Sequence, residues 1–427
     1  MKKALRILGL GAVTVLGIGG LAACGSDDEG GTVNKVAKDK TITIGMVCIG
    51  DPSTSTYDSN FKNALEDTKA AFAKEGFTVN TMYKSGVGEN DQAQAAAADL
   101  AEDCDVVLLD SYGHQFWADK VAKENPNVKF VACTGDLAAQ QKLPNLYNAF
   151  ANIYEARYLA GIAAGMKLNA IGSTAEDHVL GYVAAWPYAE VVSGYTAFYL
   201  GAKSVCADVT MKTVVTKSWG DESRESTGAN KLIDAGCKVI SQHADTYGAP
   251  RACNAKNVPN VSYNVSANAG SLASTYLCSS RINWQPYFTY VINQIKENKT
   301  IAYDWTGGLK EGSVVVGEVG SCAAEGTQAA IDAAATQIKN GSLNVFDCSK
   351  FTVTKDDNHN KFADVDIDNN GHVTGCRANV IPDDKYAPDT EVVKNGVYEE
   401  SKHRSAPYFE LEVDGITCID NGEAYGD

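Results

Sequence analysis

Short apolar runs in this chain end repeatedly in an aromatic residue beside a small hydroxyl or carboxyl residue. Gly50-Asp51-Pro52-Ser53-Thr54-Ser55-Thr56-Tyr57 follows Thr41–Ile49, and Asp110-Ser111-Tyr112-Gly113-His114 follows Val106–Leu109. Thr134-Gly135-Asp136 stands just beyond Val128–Ala132, and Val179–Ala185 runs directly into Trp186-Pro187-Tyr188. Ser218-Trp219-Gly220-Asp221, Gln242-His243-Ala244-Asp245 and Tyr263-Asn264 repeat the pattern. Flat aromatic faces with a few donors and acceptors suit a flat polar ring or a sugar. Tyr57, Tyr112, Trp186, Trp219, His243, Asp245 and Asn264 are therefore the candidate binding residues. Trp186 and Trp219 are expected to sandwich a ring, with Asp245 and Asn264 hydrogen-bonding its edge.

Catalytic and metal chemistry are less well supplied. His243 lies near Asp245, but a triad also needs a positioned nucleophile, and none stands out. No catalytic residue is assigned, and the chain is read as a non-enzyme. The six histidines are scattered without metal-ligand spacing, so neither metal nor cofactor is expected. Asp366-Ile367-Asp368-Asn369-Asn370-Gly371 begins like a calcium loop, but Arg377 stands where the bidentate Glu is needed, and a polar turn is the preferred reading. Gly307-Gly308-Leu309-Lys310-Glu311-Gly312 lacks the Gly-Lys-Ser/Thr order of a phosphate loop. Lys310, near a strand start, could still reach an anionic or hydroxylated group.

The elements that must carry these residues alternate. Strands are expected at Thr41–Ile49, Phe77–Tyr83, Val106–Leu109 and Val128–Ala132, with helices behind Asp58 as N-cap and over Asn90–Ala101 and His114–Lys123. A helix over Tyr154–Lys167 leads to a second series: strands from Val179, at Lys212–Thr216, Lys238–Ile240 and Val258–Tyr263, with helices at Ala189–Leu200, Glu222–Ala235 and near Pro250. Pro187 suits the start of the helix after Trp186. Thr275–Cys278, Asn283–Lys296, Val314–Gly317 and Gln328–Lys339 follow as short strands and helices that could return to each block. Strands alternating with helices of this length imply an α/β fold with parallel sheets and right-handed crossovers. Ligands of such sheets bind beyond the C-terminal strand ends, where the aromatic residues stand. From Phe346 the chain is richer in Asp, Asn and turn residues. It reads as an appendage, with a strand-like piece at Phe409–Val413.

Bulk composition agrees. The 427 residues are 44% hydrophobic and 21% charged, enough for two lobes. A net charge of -16 without a basic stripe argues against a nucleic-acid partner. Lys2, Lys3 and Arg6 precede an apolar run, Ile7–Gly20, too short for a confident span, so residues 1–24 read as an export signal. Leu21-Ala22-Ala23-Cys24 resembles a bacterial lipobox, which makes Cys24 the lipidation site and the membrane anchor. The polar stretch that follows, within residues 25–40, reads as a tether. Eleven cysteines remain after Cys24, an odd number, so one at least is free or bonded to another chain. As a guess, Cys104 pairs with Cys133 and Cys206 with Cys237.

Several segments together resemble the basic membrane protein family of substrate-binding lipoproteins, which includes the purine nucleoside receptor lipoproteins. They are Asn152-Ile153-Tyr154-Glu155-Ala156-Arg157-Tyr158-Leu159-Ala160-Gly161, Gly181-Tyr182-Val183, Thr216-Lys217-Ser218-Trp219-Gly220-Asp221, Gln242-His243-Ala244-Asp245, Asn283-Trp284-Gln285-Pro286-Tyr287 and Gly308-Leu309-Lys310-Glu311-Gly312. The resemblance covers about Thr41 to Lys339. It implies a type I periplasmic-binding-protein fold, with two doubly wound parallel-sheet lobes joined by hinge crossovers. By that analogy the first lobe takes residues 41–148 and 275–303, the second 149–274 and 304–341, and the appendage 342–427. It also implies a monomer that captures a purine base or nucleoside for an ABC permease and its ATPase. Lys310 matches the family's lysine by its Gly-Leu-Lys context. Asn264 stands where the family has a ribose-binding aspartate, and the tryptophan-rich pattern looks like the branch that binds free bases. Alternatives are a sugar-binding member, a ligand-sensing receptor for a signalling kinase and a surface-anchored enzyme.

Overall fold

The computed structural model describes residues 35–264, 266–268, 270–354, 363–381 and 387–420. The export signal, Cys24 and most of the tether lie outside these residues. A short helix α1 (Lys35–Asp39) leads into β1 (Thr41–Val47), α2 (Thr56–Ala73), β2 (Thr78–Lys84), α3 (Asp91–Asp103), β3 (Val106–Leu109), α4 (Gln115–Glu124), β4 (Lys129–Ala132), α5 (Leu137–Gln141) and β5 (Leu146–Ala151). The second series is α6 (Ile153–Ile171), β6 (Val179–Ala184), α7 (Ala189–Lys203), β7 (Thr210–Val215), α8 (Glu222–Asp234), β8 (Val239–His243), α9 (Gly248–Lys256), β9 (Asn260–Tyr263) and β10 (Tyr276–Ile282). Then come α10 (Gln285–Lys296), β11 (Asp304–Gly307), β12 (Val314–Val316) and α11 (Thr327–Asn340).

These strands form two sheets. The first has the order β11-β5-β4-β3-β1-β2 and is parallel throughout. The second has the order β12-β10-β9-β8-β6-β7, parallel except for the antiparallel edge β12. Both reverse direction beside their first strand, β1 or β6, the topological switch point that opens a crevice at the strand ends. Central strands such as Val106–Leu109 and Val239–His243 are buried along their whole length, as helices on both faces require.

Local chemistry sets the helix starts. Ser55, not Asp58, is the N-cap of α2: its Oγ accepts the Asp58 N–H, and the Asp58 carboxylate turns back to accept the Gly50 N–H at 2.9 Å. Asn90 caps α3 and Asp221 caps α8 in the same way. Helix α7 starts at Ala189, as expected, with Tyr188 as its N-cap and Pro187 just before it.

The lobe boundaries differ from the sequence-based division. The resemblance places residues 275–303 in the first lobe, yet β10 lies in the second sheet, in parallel register with β9 (Ser279 opposite Ser262, Ser280 opposite Tyr263). It places residues 304–341 in the second lobe, yet β11 closes the edge of the first sheet against β5. The reason is side-by-side strand pairing: β10 extends the second sheet at the edge left open by β9, and β11 does the same for β5. The chain therefore crosses between lobes after Ala151, after Ile282 and after Gly307.

In the tail, β13 (Ala363–Ile367), β14 (Val373–Ala378) and β15 (Thr390–Glu391) form a small antiparallel sheet, and β16 (Val393–Lys394) pairs with β17 (Val397–Tyr398). Asp368 accepts the N–H groups of Asn370 and His372 at the hairpin turn, so the calcium-like stretch serves as a turn. Phe409–Val413 is not a strand. Phe409, Leu411 and Val413 are buried in alternation, but in sheet-free extended chain, with Phe409 stacked on Phe346 at 4.4 Å. The last strand, β18 (Ile416–Cys418), adds to the second sheet beside β7.

The guessed disulfides do not form: the eleven described cysteines are free thiols. Cys104 packs against Met82 in a different hydrophobic cluster from Cys133, and Cys206 turns to Asp208 while Cys237 packs with Leu232 and Ile240. Both pairings join neighbouring elements within one lobe, but the members of each pair lie in different hydrophobic clusters. Among the described residues no helix is long and apolar enough to cross a membrane.

Candidate binding cleft

The C-terminal ends of the two sheets face each other across a narrow cleft that is partly open to solvent. Ile49, Tyr57, Asp110, Ser111, Tyr112 and Thr134 line one side, all just past strands of the first sheet or in the first turn of α2. Glu190, Trp219, His243, Asp245 and Tyr263 line the other. The lobes touch here: the Thr56 N–H donates to the Asp245 carbonyl at 2.9 Å.

Five of the eight sequence-predicted residues meet in this lining: Tyr57, Tyr112, Trp219, His243 and Asp245. Trp186 does not. It is half-buried and stacks on the exposed Tyr188 at 5.7 Å, and Tyr188 in turn leans on Trp219 at 6.2 Å. Asn264 is buried outside the lining, in the left-handed region (φ 60), with both amide atoms unpartnered among the described residues. Lys310 is exposed on the β11–β12 crossover, outside the lining. Sequence reasoning did not nominate Asp110, Ser111, Thr134, Glu190 or Tyr263. Four of these obeyed the strand-end pattern. Glu190 stands in the first turn of α7, and the signal for it was that a helix start beside a strand end shares the same rim.

Each wall is braced from behind. The Tyr57 hydroxyl donates to the Asp110 carbonyl at 2.9 Å and lies 3.1 Å from the Cys133 carbonyl, so the ring is fixed by two strand ends. The Tyr112 hydroxyl donates to Asp136 Oδ2 at 2.7 Å. On the second lobe, buried Arg157 from α6 donates to the Gln242 carbonyl at 2.7 Å and lays its guanidinium 3.9 Å from the Tyr263 ring centroid. His243 stands 4.8 Å from the same ring, and its Nε2 is 3.2 Å from Glu190 Oε1. A Cβ on Gly194 would come within 3.0 Å of His243 Nδ1, so the glycine leaves room for the imidazole.

Burial and neighbouring charges set the protonation. Burial, reinforced by Arg157, pushes His243 down to about 4, so the ring is neutral near pH 7. A neutral ring that donates from Nε2 to the Glu190 carboxylate has its Nδ1 as acceptor. Burial pushes Asp110 and Asp245 well above the usual carboxylate range, and Asp58 adds to both. Their protonated, donor-carrying form is thereby favoured. Beneath the cleft Cys48, Asp58 and Asp110 bring one potential ligand atom each within 4.8 Å of one another. Burial raises the Cys48 thiol, and Asp58 is already engaged by Gly50 N and Ser55 Oγ, so the trio reads as a braced loop. What the cleft offers chemically is aromatic faces from both lobes and carboxyl groups between them, with the Ser111 hydroxyl turned to Glu89 at 2.6 Å.

Comparison with known proteins fits this geometry. Residues 44–347 match the Bmp family model, described as ABC transporter substrate-binding protein PnrA-like. A Haloferax volcanii protein, named provisionally as an ABC transporter glucose-binding protein, is 30% identical over 70% of this chain and 74% of its own length. A purine-binding protein of Brucella abortus is 27% identical over 72% of this chain and 84% of its own. Among solved structures, an ABC transporter solute-binding protein of Conexibacter woesei superposes with a TM-score of 0.58 at 20% identity, over 71% of this chain and 98% of that one, a likeness of fold. The two-lobed architecture is thus the type I periplasmic solute-binding fold. The chain belongs to the Bmp family of PnrA-like ABC transporter substrate-binding proteins: it is a small-molecule receptor for a permease on the outer side of the membrane, and not an enzyme.

Proposed function

We propose that the solute is a purine base or nucleoside, or a flat heterocycle of similar shape, stacked between the lobes. The observation that carries this reading is the pairing of aromatic faces across the cleft, Tyr57 and Tyr112 from one lobe with Trp219 and Tyr263 from the other. Asp110 and Asp245 complement them. A protonated carboxyl offers an O–H and a C=O side by side, the counterpart of a heterocycle edge with adjacent ring nitrogen and N–H. The Brucella relative's name points the same way. Trp186, Asn264 and Lys310 do not line the cleft, and any role for them in binding would require a different lobe arrangement.

A sugar is the second reading. Three carboxyl groups, Asp110, Glu190 and Asp245, with Ser111 and Thr134, could serve the hydroxyls of a small sugar, and the Haloferax relative's name favours it. Titration calorimetry with purine bases, nucleosides and D-glucose separates the two: tight glucose binding without any purine signal overturns the purine reading.

The lipobox at Leu21–Cys24 supports a lipid anchor on Cys24, which would hold a monomeric receptor beside its permease and ATPase. Palmitate labelling of wild-type cells, absent from Cys24→Ser, tests it.

A further inference from the structure

The C-terminal segment lies beyond the residues matched by the family model, which end at 347, and it reaches both lobes. The Ser405 N–H donates to Asp304 Oδ2 at 2.7 Å, on the edge strand β11 of the first sheet. Arg404 Nη1 lies 3.5 Å from Asp136 Oδ2, in the loop after β4. Further on, the Asp414 carbonyl accepts the Tyr199 hydroxyl at 3.2 Å, β18 pairs with β7, and Asp420 Oδ2 accepts the Val215 N–H at 2.8 Å, all on the second lobe. Residues 404–420 thus form a strap from one lobe to the other.

Its contact with the first lobe is one residue away from the cleft. Asp136 Oδ2, which faces Arg404, also accepts the Tyr112 hydroxyl at 2.7 Å, and Tyr112 lines the cleft. Asp136 Oδ1 accepts Gln115 Nε2 at 3.1 Å. The guanidinium is itself held in place: Nε donates to the Ala406 carbonyl at 3.0 Å, Nη2 to Pro407 at 3.0 Å and Nη1 to Val380 at 2.9 Å. Asp136 and Arg404 are only 6% and 15% exposed, so solvent and salt screen the pair little.

We propose that Arg404 is a positioning residue for the ligand: through Asp136 it fixes the Tyr112 ring in the cleft wall, so that the C-terminal strap takes part in binding. The ion pair, together with the Gln115 amide, holds the carboxylate, and the carboxylate holds the phenol. Without Arg404 the ring must be ordered when the ligand arrives, and that ordering is subtracted from affinity. The proposal rests on the cleft being the ligand site, whatever the ligand is.

The test is a double-mutant cycle on the full mature chain, with adenosine, adenine and D-glucose as probes. Arg404→Gln should weaken binding of the probe that wild type takes by about tenfold, since the lost ion pair is nearly buried. In a Tyr112→Phe background the same change should cost less than about twofold, because the link is already cut. Arg404→Lys should restore part of the loss. Equal losses in both backgrounds, or no loss in either, would overturn the proposal. Asp136→Asn serves in place of Arg404→Gln if that variant does not fold. A second readout needs no ligand: hydrogen exchange over residues 111–116 of the free protein should quicken in Arg404→Gln and less in Arg404→Lys, and unchanged exchange overturns the proposal. Wild type that binds glucose and neither purine sinks the purine reading, while the cycle still decides on Arg404.

Discussion

The Thr56 N–H donates to the Asp245 carbonyl at 2.9 Å, a direct backbone bond from one lobe to the other at the cleft. Thr56 is the first residue of α2, where an N–H has no partner within the helix, so this donor is free to serve the opposite lobe. The same position tolerates proline, and Ser55 before it is already extended (φ -72, ψ 134). Thr56→Pro should therefore delete the bond and leave the helix intact. Closure should weaken, with affinity falling about five- to tenfold, the range of one net hydrogen bond. Small-angle scattering of the ligand-bound variant should show a larger radius of gyration than wild type, with circular dichroism unchanged. An unchanged affinity would mean that closure does not use this bond.

Two tryptophans that look equivalent in sequence should behave differently. Trp219 lines the cleft, while Trp186 stacks on Tyr188 outside it. Trp219→Ala should cost at least about tenfold in affinity, as loss of an aromatic stacking face commonly does. Trp186→Ala should cost less than about threefold. Calorimetry on both variants checks this, and the reverse order would relocate the site.

That contrast shows how far the sequence carried. Apolar runs followed by turn residues identified most strands of both sheets, though not β5, β11 or β18, and hence the crevice, because buried parallel strands leave a strong signal. Which rim residue points inward was not legible, since it depends on the turn beyond the strand. After β6 the chain spends Trp186 and Tyr188 on the outer rim before α7 begins, and the inward place goes to Glu190. Asn264 was legible as a rim residue, but it is buried, with a left-handed backbone, outside the lining. The lobe membership of β10 and β11 was equally hidden, because strand pairing is a long-range choice that a short segment does not encode. The role of the tail was hidden too: Arg404 meets Asp136 only in the folded chain.

Stability should depend on pH through the tail. Burial pushes Glu400 up to about 7 from an ordinary value of 4.5, with Tyr408 N its backbone donor at 3.3 Å. The folded state thus holds a proton that the unfolded chain releases at lower pH. The stabilisation is fully present below pH 4.5 and is lost as pH rises through about 7. At most this is worth ~3 kcal/mol. Arg404 works against the shift, so removing it should steepen the dependence. Glu400→Gln should flatten the fall in denaturation midpoint between pH 4.5 and 7.5, measured by urea titration at several pH values. An equally steep fall in the variant would place the linkage elsewhere.

The last prediction concerns the frame that holds His243 and Arg157. Helices α6 and α7 pack backbone against backbone: a Cβ on Gly161 would lie 2.0 Å from the Phe198 carbonyl oxygen, and one on Gly201 only 1.9 Å from that of Tyr158. These oxygens belong to rigid helices and cannot swing aside as a side-chain end would. A single methyl at either place must push the helices apart. Helix α6 carries Arg157, which backs Tyr263, and α7 carries Glu190 and Gly194, which flank His243. Separation would thus loosen the second wall of the cleft as well as the core. Gly201→Ala should lose roughly 3 kcal/mol or more, the upper range for overpacking, despite alanine's better helix propensity. Gly165 offers a graded control, because the nearest atom there, the Ala202 carbonyl oxygen, is 2.6 Å away. The order of loss expected from chemical denaturation is Gly201→Ala and Gly161→Ala first, then Gly165→Ala. A stabilised Gly201→Ala would show that the two helices can separate freely, and that the wall behind His243 is not held by their contact.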